Sequence, residues 1–121
     1  MNKRILIYGP QQSGKTLLAK QIASCFDKDE IVWMSEVDSI FSWHYFGICP
    51  ENTKLIIIDN LRDHELKKSY DRTKHLIEVN PHMKENSTID PIVILIAETD
   101  DINVINKHIG TEFKIIHKER L

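Results

Sequence analysis

Apolar residues gather in five short runs, at positions 5–8, 31–34, 55–58, 92–97 and 113–116, each separated from the next by a segment long enough for a helix. Runs of this kind, rich in Ile and Leu and without polar alternation, predict strands buried on both faces. Strands that alternate with helices predict a parallel sheet covered on both sides. The intervening segments predict helices over 15–26, 35–46, 62–79 and 102–107. The third is the clearest, because Leu66, Tyr70, Thr73, Leu76 and Ile77 recur at helical spacing between charged residues. Asn80-Pro81 closes that helix, and 84–90 reads as a polar loop before the next strand.

The junction of the first run and the first helix carries a chemical pattern. Gly9-Pro10-Gln11-Gln12-Ser13-Gly14-Lys15-Thr16 completes G-x-x-x-x-G-K-[ST] directly after a strand, and Leu17 continues into the helix. A loop of this kind wraps phosphates with backbone N–H groups, and glycines at both ends allow the curvature and close approach that a Cβ obstructs. Lys15 supplies a point charge to the β- and γ-phosphates, the Thr16 hydroxyl ligates Mg²⁺, and the N-terminal dipole of the helix faces the anion. A glycine turn that matches by accident is the bland alternative, and the strand before and helix after argue against it. The pattern predicts a bound nucleoside triphosphate with Mg²⁺ and does not read the base.

Two later positions bear on the same chemistry. Leu55-Ile56-Ile57-Ile58-Asp59 is a buried strand that delivers a carboxylate to its C-terminal edge, which in phosphate-loop proteins is the Walker B position holding Mg²⁺. Read without the loop, Asp59 is equally a turn or helix-cap residue. Asn60 follows it, where many hydrolytic relatives carry a glutamate, and an amide orients water without taking its proton. The fourth run ends in Glu98-Thr99-Asp100-Asp101. If that strand lies between those of Gly9 and Asp59, Glu98 or Thr99 senses the γ-phosphate, and Glu98 supplies the carboxylate that Asn60 lacks. A solvated acidic loop is the competing reading.

Composition narrows the partners. A chain of 121 residues, 41% hydrophobic and 28% charged, predicts one domain over 1–121. A net charge of −2 leaves nucleic-acid binding to a local patch or a partner. Lys67, Lys68, Arg72, Lys74 and His75 alternate with Asp63, Glu65, Asp71 and Glu78, which favours a solvated helix face over a phosphate-binding one. Cys25 and Cys49, with no CxxC, predict buried reduced thiols and a cytoplasmic location. The first apolar run is only a strand long, against a secretory signal, and 91–97 is far short of a membrane span. The histidines are scattered and predict no metal site. The aromatic run 41–46 predicts a helix packed on the sheet, with a partner surface as the alternative.

The loop at 9–16, the strand ending at Asp59 and the segment Ile94 to Ile102, with Thr99 at the sensor 1 position, resemble the core of the AAA+ ATPases and the superfamily-three helicases. The likeness covers most of the chain, without the helical lid that follows this core in the family. It implies an α/β, three-layer αβα P-loop NTPase domain with a five-stranded, mostly parallel sheet in order 5-1-4-3-2. ATP binds at the C-terminal edge of its strands. The family places an arginine finger just before the phenylalanine of 109–116, and Glu112 stands there instead.

Three functions remain open. The leading one is an ATP-binding protein with slow or partner-stimulated hydrolysis, whose family link is to DNA replication or mobilisation. An arginine supplied in trans accelerates such sites by orders of magnitude, so a protein partner or self-association belongs to this reading. The second is a nucleoside or nucleotide kinase with Glu36 or Asp38 as base, against which stands the lack of an arginine-rich lid segment. The third is a nucleotide-gated interaction module without turnover, favoured by Asn60 and Glu112.

Overall fold

The computed structural model describes residues 3–11, 13–35, 53–79 and 91–119. The side chains of Met34, Ser35 and 72–79 are outside that description, as are Gln12, Glu36, Asp38, Cys49, the predicted helix beyond Ser35 and the polar loop at 84–90. The elements are β1 (Arg4–Tyr8), α1 (Lys15–Ala23), a 3₁₀ turn (Lys28–Glu30), β2 (Ile31–Ser35), β3 (Leu55–Leu61), α2 (Asp63–Val79), β4 (Ile92–Ala97), α3 (Ile102–His108) and β5 (Lys114–His117). The strands form one sheet in the order β2-β3-β4-β1-β5, and all four pairings are parallel. That is the expected order and α/β class, with β4 between β3 and β1.

The apolar runs are continuous because each central strand feeds two cores. Leu6, Ile56, Val93 and Leu95 pack on one face with Leu66 and Tyr70 of α2 and Ile105 of α3. Ile7, Ile57, Ile94 and Ile96 pack on the other with Ala19 of α1. Helices therefore cover both faces in three layers, and each buried branched side chain contributes roughly 1.5–3 kcal/mol of transfer free energy. Parallel strands all end on one edge, and register brings Tyr8, Ala97 and His117 level there.

Several boundaries differ from the sequence reading. β3 runs on to Leu61, with a register shift against β4 between Ile58 and Leu61, so Asp59 lies in an irregular stretch of strand rather than at its end. Asn60 takes a positive φ of 64° there, a left-handed conformation that asparagine tolerates better than most residues. α1 ends at Ala23, and residues up to Phe26 follow as a turn held by Cys25 N–H to Ile22 O and Phe26 N–H to Ala23 O. Phe113 precedes β5 and is buried against the Tyr70 ring at 5.7 Å. Asp101 caps α3, its carboxylate accepting the Asn103 N–H at 2.9 Å. Cys25 is exposed, correcting the expected burial: the turn after α1 leaves it on the surface. Among the described residues no helix is long and apolar enough to cross a membrane, and no group of three or more His, Cys, Asp or Glu stands together.

Candidate phosphate-binding site

The loop between β1 and α1 is fastened at both ends. The Gly9 N–H donates to Thr99 O at 2.9 Å, tying the loop to the tip of β4. The Lys118 N–H donates to Tyr8 O at 2.8 Å, extending the β1–β5 ladder one residue past the strand. A Cβ on Gly9 would overlap the Lys118 carbonyl, so close backbone approach fixes glycine here. Gly14 caps α1 with φ 90° and ψ 16°, a left-handed turn at the start of the helix. Its glycine is required for conformation rather than for space.

Lys15 is 4% exposed, and its ammonium is held inside the loop. Nζ donates to Gly9 O at 2.8 Å and Pro10 O at 2.6 Å, lies 3.4 Å from Ser13 Oγ, and stands 3.4 Å from Glu98 Oε2. Behind it the Thr16 hydroxyl faces Asp59 Oδ2 at 3.5 Å, while Asp59 Oδ1 accepts the Asn60 N–H at 2.7 Å. A hydroxyl beside a carboxylate is the hard-oxygen donor pair that Mg²⁺ takes, with waters and phosphate oxygens completing its shell. These residues fit the ion.

A pocket of about 300 Å³ opens over the loop, lined by Gln11, Ser13, Gly14, Lys15, Thr16, Leu17, Asn60 and Glu98. It gathers most of the residues singled out in the sequence. Glu98 is carried there by β4, its N–H donating to Leu61 O at 2.6 Å, and its side chain is 17% exposed. Leu17 is 61% exposed at the mouth. Pro10 contributes its carbonyl to Lys15, and Asp59 reaches the pocket through Thr16. Thr99 is buried and does not line the pocket: its carbonyl holds Gly9, and its hydroxyl accepts the Asp101 N–H at 3.3 Å. Gln12 lies outside the described residues.

The sequence reading named Lys15, Glu98 and Asn60 for the site but did not pair Lys15 with Glu98 or give Asn60 its left-handed backbone. Both depend on which strands are neighbours, and local pattern does not carry that. Glu112 is engaged elsewhere, accepting a hydrogen bond from the Tyr70 hydroxyl. His117 stacks on Tyr8 with ring centroids 4.6 Å apart and pairs with Asp100 at 2.6 Å.

Known structures share this framework. The fold is P-loop-like. The chain is similar to the Pif1 helicase from Candida albicans, with a TM-score of 0.50 and 11% identity over 98% of this chain, and it spans 36% of the length of that one. At that identity the likeness shows the fold alone. The sequence matches no family model and no curated protein.

Proposed function

We propose that this chain binds a nucleoside triphosphate with Mg²⁺ in the pocket over residues 9–16 and hydrolyses it slowly, or rapidly when a partner completes the site. The observation that carries the reading is Lys15. A buried ammonium, held by loop carbonyls at 2.6 and 2.8 Å and open to a pocket at a helix N-terminus, is placed for an anion. Loop N–H groups and Lys15 take the β- and γ-phosphates, and Thr16 and Asp59 hold Mg²⁺. ATP is the ligand that the resemblance to AAA+ ATPases favours.

For hydrolysis, a water oxygen attacks the γ-phosphorus, the bond from that phosphorus to the β–γ bridging oxygen breaks, and the water's proton passes to Glu98, leaving nucleoside diphosphate and inorganic phosphate. Asn60 orients the water and cannot take its proton. In the structure Glu98 pairs with Lys15, so an arriving γ-phosphate competes for the ammonium and frees the carboxylate. That same pairing favours a second reading, a nucleotide-gated module with no turnover, in which Glu98 never leaves Lys15. Nothing among the described residues favours the kinase, whose candidate bases Glu36 and Asp38 lie outside them.

The test is binding of MgATP and MgGTP and release of phosphate, with and without single-stranded DNA, against Lys15→Ala. Lys15-dependent binding with turnover establishes the NTPase. Lys15-dependent binding without turnover, with or without DNA, removes slow intrinsic hydrolysis and leaves the gated module or a site that waits for an arginine from a partner, and binding indifferent to Lys15 overturns all of these.

A further inference from the structure

We propose that Lys118 supplies a second ammonium group to the bound polyphosphate, so that the loop after β1 and the segment after β5 grip it together. The inference rests on the nucleotide reading above and adds a residue to it. The backbone of Lys118 is pinned to the start of the loop: its N–H donates to Tyr8 O at 2.8 Å, and its carbonyl stands against Gly9. Its side chain then reaches the other end of the loop, with Cε 3.7 Å from where a Cβ on Gly14 would sit. The stem thus spans the loop from Gly9 to Gly14, and Cε, one bond short of the ammonium, stands beside the residue that caps α1.

Among the described residues three other lysines face carboxylates, and Lys118 does not. Lys15 faces Glu98, Lys54 pairs with Glu30 at 2.7 Å, and Lys67 pairs with Asp71 at 3.3 Å. Among the described residues no carboxylate pairs with Lys118. His117 stacks on Tyr8 and is bound to Asp100, so of these two residues Lys118 is the one that leans across the loop. A cation held half-buried beside a helix N-terminus, without a counter-ion, raises the local positive potential where an anion would dock. A triphosphate carries more negative charge than Lys15 and one Mg²⁺ neutralise, and Glu98 already offsets part of Lys15. A second ammonium on the far side of the loop meets that need within the chain.

The experiment is calorimetric titration with whichever of MgATP and MgGTP binds more tightly, and with magnesium tripolyphosphate, which has no base or sugar. The proteins are wild type, Lys118→Met, Lys118→Arg and Lys15→Ala. Methionine keeps an apolar stem along Gly14 and removes the charge, and thermal unfolding checks that the fold persists. Lys118→Met is expected to weaken nucleotide and tripolyphosphate alike by about tenfold, with the loss shrinking as salt is raised and arginine restoring most of it. Lys118→Met within twofold of wild type, while Lys15→Ala still abolishes binding, overturns the proposal and leaves the nucleotide site standing. Weaker nucleotide with unchanged tripolyphosphate also overturns it, because the stem would then be serving base or sugar. A wild type that binds none of these ligands removes the nucleotide reading, and Lys118 with it.

Discussion

Replacing Glu98 by glutamine should move binding and turnover in opposite directions. The carboxylate lies 3.4 Å from Lys15 Nζ, and at an effective dielectric of about 20 that separation corresponds to about 5 kcal/mol of gross attraction. Most of this does not reach the measured affinity. Lys15 keeps its bonds to Gly9 O and Pro10 O, the glutamine carbonyl still accepts, and the edge of Glu98 is wetted. What changes is the competition: in the wild type a γ-phosphate must displace an anion from the ammonium, and in Glu98→Gln it displaces a dipole. A net gain of about 1.4 kcal/mol, tenfold in Kd, is the expected scale. Loss of a general base costs roughly 10²–10⁴ in rate, so turnover should fall at least a hundredfold. Isothermal titration with MgATP and steady-state phosphate release read the two effects separately. Unchanged or weaker affinity with turnover preserved would refute both halves. Tighter binding with turnover intact would keep the electrostatic argument and remove Glu98 as the base.

Three further outcomes follow from the geometry. Asp59→Ala should make nucleotide affinity nearly independent of Mg²⁺, because Thr16 alone is a poor anchor for the ion; an unchanged ratio of affinities in magnesium and in chelator would count against Asp59 as a ligand. Gly9→Ala should destabilise the fold by about 1–3 kcal/mol, since the new Cβ overlaps the Lys118 carbonyl and the β1–β5 pairing must give way; a urea midpoint equal to wild type would contradict that contact. Burial, and then the hydrogen bond to Glu112, push the Tyr70 phenol up from 10.0 to about 12. The unfolded chain therefore loses its proton first, so this stabilisation is fully present below pH 10 and lost as pH rises towards 12. Phenolate absorbance should show the late titration in wild type, and its persistence in Tyr70→Phe would show that another tyrosine is responsible.

The legible parts of the chain are those where one local constraint decides the residue. Ile92–Ala97 had to be apolar throughout because both faces of β4 are covered, so the run announced a central strand. Gly14 and Lys15 were legible because a left-handed turn leading into a helix, with an ammonium behind it, leaves little choice of residue at either position. The less legible parts depend on pairing. Asn60 reads as an amide in place of a carboxylate, yet its left-handed backbone arises from the register shift between β3 and β4, which no window around Asn60 encodes. Thr99, at the sensor position in the sequence, ties the loop to the sheet through its carbonyl, which holds Gly9, a contact that its residue type does not announce. The Glu98 to Lys15 pair in the pocket and the reach of the Lys118 stem across the loop join residues far apart in sequence and exist only because β4 and β5 flank β1. The phosphate loop can thus be read as a motif, but its electrostatics belong to the sheet, which sets how far Lys15 is neutralised before any ligand arrives.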